Sequence, residues 1–151
     1  KELAWGIGLS GRLMTPMIEQ RDSLVFQLNA GNGIGRYVND LSGVGNFDGI
    51  FDSGHGNLEL FDVYSGYVSW QHWWGYEQTR SNFTVGVVHI DNPGFVDDDA
   101  YKSSIRLSSN LMWSPTKRID LGGELLWGER ENQNGESANA SQIQLSLRYR
   151  F

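Results

Sequence analysis

Period-two alternation of apolar and polar residues dominates this chain. It restricts the fold before any motif is considered. Successive side chains of a strand point to opposite faces, whereas a helix would scatter the same positions around its circumference. The clearest run is C-terminal. Ile143, Leu145, Leu147, Tyr149 and Phe151 share one face, and Gln142, Gln144, Ser146, Arg148 and Arg150 share the other. Upstream, Ile119, Leu121, Gly123, Leu125 and Trp127 oppose Arg118, Asp120, Gly122 and Glu124. Tyr101, Ile105, Leu107, Leu111 and Trp113 oppose Lys102, Ser104, Arg106, Ser108 and Asn110. Phe83, Val85 and Val87 oppose Thr84 and Gly86, and the far end of this run, Val88 to Ile90, is ambiguous. Leu58–Trp74 reads as one long, less regular run. In it Tyr64, Val68 and Trp70 share a face opposite Glu59, Ser65, Tyr67, Ser69 and Gln71. Leu24, Phe26, Leu28 and Ala30 oppose Ser23, Gln27 and Asn29, and Leu3, Trp5, Ile7 and Leu9 oppose Gly6, Gly8, Ser10 and Arg12. Seven strands are expected, with no amphipathic helix.

The connections alternate in character. Those near 35–57, 91–99 and 131–138 read as long and polar, and those at 14–22, 75–81 and 114–117 as shorter. Long loops at one end and shorter turns at the other is the build of an up-and-down barrel that crosses a membrane. Three further features favour lipid over a soluble sandwich. The polar faces are rich in Arg, Ser, Gln, Asn and Gly, which suits a wet lumen. Aromatic residues sit near strand ends, and Trp5, Trp113, Trp127, Tyr149 and Phe151 are expected to form girdles at the headgroup level. The sequence also stops on a strand, at an aromatic residue.

The expected fold is therefore all-β: an antiparallel up-and-down transmembrane β-barrel region over 1–151. Seven is an odd number, and single-chain bacterial barrels run to even numbers from about eight upward. The chain is thus expected to be a C-terminal segment of a larger barrel, unless residues 36–51 hide an eighth strand of a small complete structural or adhesive barrel.

Composition excludes other classes. With no cysteine there is no disulfide framework and no thiolate chemistry. A net charge of -6 argues against a nucleic-acid partner, which needs a basic face. His55, His72 and His89 are far apart and form no metal-binding pattern, and no nucleophile elbow occurs. Neither a catalytic residue, a metal nor a cofactor is expected. Asp97, Asp98 and Asp99 read as a solvated outer loop more readily than as a Ca²⁺ site. The stretch Gly31-Asn32-Gly33-Ile34-Gly35-Arg36 has glycines at alternate positions, not the spacing of a dinucleotide fingerprint, and reads as a strand end turning into a loop.

If the aliphatic residues face lipid, Arg12, Lys102, Arg106, Arg118, Arg130, Arg148 and Arg150 face the lumen. Their planar guanidinium groups suit the recognition of carboxylates, and Arg or Lys rings are a known device of anion pores. Arg12 and Arg106 lie nearest mid-strand. The blander reading pairs these cations with Asp120, Glu124 or loop carboxylates.

The tail QIQLSLRYRF resembles the C-terminal signal that the barrel-assembly machinery reads in outer-membrane proteins. The blocks LVFQLNAGNGIGRYV, LELFDVYSGYVSWQHWW, TRSNFTVGVVHIDNP and SNLMWSPTKRIDLGGELLWGERENQNG, with that tail, resemble the C-terminal portion of the DcaP-like outer-membrane porins. The resemblance covers nearly the whole chain. It implies residence in the bacterial outer membrane among its lipids, a homotrimer of barrels of about sixteen strands, a size within the known range, and passive diffusion of small dicarboxylate-like anions. The rival is a soluble β-sandwich that binds carbohydrate through Trp70, Trp73 and Trp74. The two readings differ in whether the aliphatic face looks outward or into a dry interior.

Overall fold

The computed structural model describes residues 1–39, 41, 48–75 and 78–151. Seven strands form one antiparallel sheet in chain order: β1 (Trp5–Met14), β2 (Ser23–Asn32), β5 (Asp62–Trp73), β6 (Thr79–Asp91), β7 (Tyr101–Thr116), β8 (Ile119–Asn132) and β9 (Ser137–Tyr149). A separate hairpin of β3 (Gly49–Asp52) and β4 (Asn57–Leu60) lies between β2 and β5. Every neighbour in the large sheet is also a neighbour in that order, the up-and-down topology that alternating loops and turns require. β1 and β9 are its edges.

The register defines two faces. One row runs Ser10, Gln27, Tyr67, Gly86, Arg106, Gly128 and Ala140. A neighbouring row on the opposite face runs Gly11, Phe26, Val68, Val85, Leu107, Trp127 and Ser141. The apolar face has no second layer. Ile143 is 75% exposed, Leu145 82% and Val85 47%. A sandwich would have buried them. Among the described residues the buried apolar cluster lies on the polar face instead, where it is made of Ile34, Val38, Leu41, Phe61, Val63, Val88, Ile90 and Tyr101.

Several expectations change in detail. The run Leu58–Trp74 breaks at Phe61, whose amide donates to the Asp48 carbonyl at the base of the hairpin, so β4 and β5 are distinct. The place suggested for an eighth strand holds the start of this hairpin; residues 40 and 42–47 lie outside the described residues. The connection expected near 131–138 is only the turn 133–136, because pairing extends to Glu131 and Ser137. Tyr101 changes face. A bulge at Tyr101/Ser103 sets it among the buried cluster, and its hydroxyl donates to Ser104 Oγ at 2.5 Å.

At the turn end, Asp22 is fully buried. Its carboxylate accepts the Trp73 amide at 2.9 Å, and His72 Nδ1 lies 2.8 Å from its other oxygen. That clasp ties the β1–β2 turn to β5. Each histidine has its own carboxylate: His55 with Asp52, His72 with Asp22, His89 with Asp91.

The two faces make a direct prediction. Leu107→Arg places a cation in hydrocarbon and should lower bilayer folding stability by about 2–4 kcal/mol. Ser108→Arg, one residue on, should cost much less. Urea titration of the refolded barrel in lipid vesicles measures both, and equal costs would contradict the two-faced assignment.

Candidate functional site

The first described part of the long β2–β5 connection, residues 33–39 and 41, does not stand away from the sheet. It turns back over the polar face. Gly33 has φ +72, a conformation open to glycine at little cost. Its amide donates to the Phe61 carbonyl. A 3-10 turn at Gly35–Tyr37 follows. The seat for this segment is cut by absent side chains. A Cβ on Gly6 would lie 2.8 Å from Ile34 Cγ2, and one on Gly31 would lie 2.4 Å from the Trp5 carbonyl oxygen. The alternating glycines are thus the bend and the seat of an inward-folded segment.

Asp48 anchors it. Its carboxylate accepts the Arg36 amide at 3.0 Å and pairs with the Arg36 guanidinium. Ile34, Val38 and Leu41 then pack on Val63, Val88, Ile90 and Tyr101. This explains the ambiguity at Val88–Ile90. Under the segment the polar face is dry, so its inward positions are apolar, while His89 and Asp91 take the outward ones.

Beside this dry patch lies a cavity of about 370 Å³, roofed by Tyr37–Asn39 and walled by Gln27, Asn29, Ser65, Tyr67, Thr84, Ser108 and Arg106. Arg106 is the charged residue among the described lining. The wall is preorganised by amide and hydroxyl bonds. Gln27 Nε2 donates to Asn29 Oδ1 at 3.2 Å, Asn29 Nδ2 donates to Ser65 Oγ at 3.2 Å, and Ser69 and Thr84 hydroxyls lie 2.7 Å apart.

The seven expected cations divide. Arg12 and Arg106 stand on the polar face, exposed, and neither makes an ion pair among the described residues. Arg148 stands opposite Asp120 on the same face. Arg150 reaches past the end of β9 to pair with Asp120. Arg118 sits in the β7–β8 turn, where its carbonyl accepts the Arg150 amide. Arg130 stacks over Tyr101 at 5.2 Å and donates to Asn132 Oδ1. Lys102, the unpaired residue of the bulge between Tyr101 and Ser103, donates to Glu131 Oε1 at 2.6 Å, so its charge is already engaged. Trp113 and Tyr149 lie on the apolar face toward the turn end, with Phe151 edge-on to Tyr149, and Trp5 and Trp127 lie on it toward the loop end. Sequence reading missed the inward segment and Tyr37. The Gly31–Arg36 spacing and the inverted pattern at 88–91 were its available signals. Trp70 and Trp73 lie on opposite faces of β5, so the three tryptophans form no sugar-stacking platform.

A strand sheet with an aliphatic outer face and a polar, roofed inner face is the wall of an outer-membrane β-barrel. The chain matches the DcaP outer membrane protein family over residues 1–151, and it belongs to that family. Its fold is similar to the crystal structure of the outer membrane channel DcaP of Acinetobacter baumannii, at 19% identity and a TM-score of 0.81. The match covers 98% of this chain and 41% of that one. No curated relative matches the chain. Family and fold place it in the bacterial outer membrane.

Asp48→Ala should loosen the inward segment by about 1.5–3 kcal/mol, the worth of hydrogen bonds to a charged group. Single-channel recording of a complete barrel should then show higher and noisier conductance; an unchanged trace would separate the anchor from the pore. At the hairpin tip, the hydrogen bond with His55 and the Gly54 amide hold the Asp52 carboxyl below the usual carboxylate range. A lowered folded-state pKa stabilises above the unfolded value and is lost as pH falls through the folded one. The protection of the Gly54 amide, its exchange measured against the intrinsic rate at the same pH, should therefore hold near neutrality and be lost only below about pH 4.

Proposed function

We propose that this chain forms part of the wall of a water-filled channel for passive diffusion of small anionic, dicarboxylate-like solutes. The observation that carries the reading is Arg106: an exposed guanidinium, without an ion pair among the described residues, on a polar cavity wall under an inward-folded segment. A solute carboxylate meets its two parallel donors there. The neighbouring hydroxyls and amides replace part of the solute's hydration without holding it. Arg12 extends the same wall. Lys102, Arg118, Arg130, Arg148 and Arg150 contribute at the rims, where their carboxylate, aromatic and turn partners make them wall elements first.

The same reading assigns the outer face to lipid, with Trp5, Trp113, Tyr149 and Phe151 at the headgroup levels and Trp127, the cross-strand partner of Leu107, nearer the middle of the wall. It also assigns the C-terminal strand to recognition by the barrel-assembly machinery, and the whole channel to a homotrimer. The supports are the exposed aliphatic face and the family membership.

The test is ion preference. In a complete barrel in planar bilayers, Arg106→Ala should lower the anion-to-cation permeability ratio by up to roughly fivefold. That corresponds to about 1 kcal/mol for a unit charge at contact in a water-like dielectric. An unchanged reversal potential in a salt gradient would overturn the role of Arg106.

A further inference from the structure

At the turn end of the polar face, two guanidinium groups lie against one indole. Arg21 Cζ is 4.3 Å from the centroid of the Trp73 ring, and Arg80 Cζ is 5.6 Å from it. Trp73 and Arg80 are cross-strand partners on β5 and β6, and Arg80 faces Met112 on β7, so the group belongs to the polar face. Cation–π attraction stabilises each arginine on the ring, but it does not neutralise either one.

The nearby described carboxylates have their hydrogen bonds with other groups. Asp120 accepts from Ser114 Oγ at 2.6 Å and pairs with Arg150. Asp22 is held by His72 and the Trp73 amide. Arg80 donates to Ser114 Oγ at 3.0 Å, which orients it through that hydroxyl rather than through a direct ion pair. Among the described residues, neither Arg21 nor Arg80 makes a direct ion pair, and Arg80 feels the Asp120 charge only at longer range, alongside Arg150 and Arg148. Two like charges on one ring repel, and a bound anion would relieve that repulsion.

We infer that Arg21, Trp73 and Arg80 form a second anion-binding station, at the turn-end mouth of the channel, for a small carboxylate. It lies six residues along β6 from Gly86, the partner of Arg106, which at strand rise is about 20 Å. Between the two runs a ladder of neutral amides. Gln71 Nε2 donates to Asn82 Oδ1 at 3.3 Å, and Asn82 donates to Asn110 Oδ1 through its backbone amide at 2.9 Å. A carboxylate leaving the Arg106 cavity therefore crosses neutral amides on β5–β7, with Arg12 and Glu124 on flanking strands of the same rows, and meets paired cations at the exit. The station rests on the channel reading but not on the role of Arg106.

The experiment is one-sided block. Succinate is added to the turn side of a complete barrel in a planar bilayer, and dwell times of the current interruptions are recorded. The double variant Arg21→Gln/Arg80→Gln should shorten the turn-side dwell by about threefold or more, with a smaller effect from the loop side as the internal reference. Arg21→Lys/Arg80→Lys should restore part of it, since charge returns without the planar fork. Arg21→Gln alone, in a turn rather than a strand, should show the same direction if the double variant does not assemble. Unchanged turn-side dwell in either Gln variant overturns the station. An Arg106→Ala channel with unaltered ion preference would overturn the reading of the cavity instead, so the two failures are distinct.

Discussion

The constraint on which the rest depends is that backbone polar groups have no water to turn to in hydrocarbon. A strand can cross lipid only with its amides and carbonyls paired to neighbours. The register here is nearly continuous from β1 to β9, with its shifts confined to β7–β8 at Tyr101/Ser103 and Trp113/Thr116. Once the backbone is committed in that way, side chains alternate between two solvents. Leu107 and Arg106 are adjacent in sequence and belong to different media. The alternation is the chemical record of that separation.

The same constraint explains where irregular backbone is allowed. Residues 33–39 and 41 are not strand, yet they lie against the sheet. That is tolerated on the polar side, where water and protein satisfy what the ladder does not. Their docking creates a local exception to the two-solvent rule. Val63, Val88, Ile90 and Tyr101 point inward because the inward segment dries that patch, and Asp62, His89 and Asp91 point outward beyond the apolar belt. Arg106 stands beside the dry cluster, in the wet part of the face, where a charge is solvated and still close to a low-dielectric roof.

Strand positions were legible in the sequence because period two is a local property, carried by each strand alone. What the loops do was not, because docking is decided by residues far apart. Gly6, Gly31 and Ile34 meet only after β1 and β2 pair. The alternating glycines from Gly31 to Gly35 could be recognised as a bend, but nothing in that stretch says which way the chain bends. Tyr101 was assigned by parity to the lipid face, and a single bulged residue reversed it. Lys102 counted as a free cation until Glu131, 29 positions away, arrived across the ladder. At the cations of β1 and mid-β7 no bulge or ion-pair partner intervenes, so alternation alone puts them on the polar face.

Net charge says little about such a wall, and the distribution of partners shows why. The acidic excess is concentrated in loop-end residues, many of which already have a donor: Asp48 has Arg36, Asp52 has His55, Asp91 has His89, Glu131 has Lys102, and Asp62 accepts from Asn32 at 2.8 Å. The mid-wall arginines have none among the described residues. Screening at physiological salt decays over about 8 Å, so a solute at the wall responds to the nearest unpaired charge and not to the sum over the chain. A chain of net charge -6 can thus present a locally positive surface to what passes along it. The sign of the wall is set by which ions lack partners, and that is a property of register and docking rather than of composition.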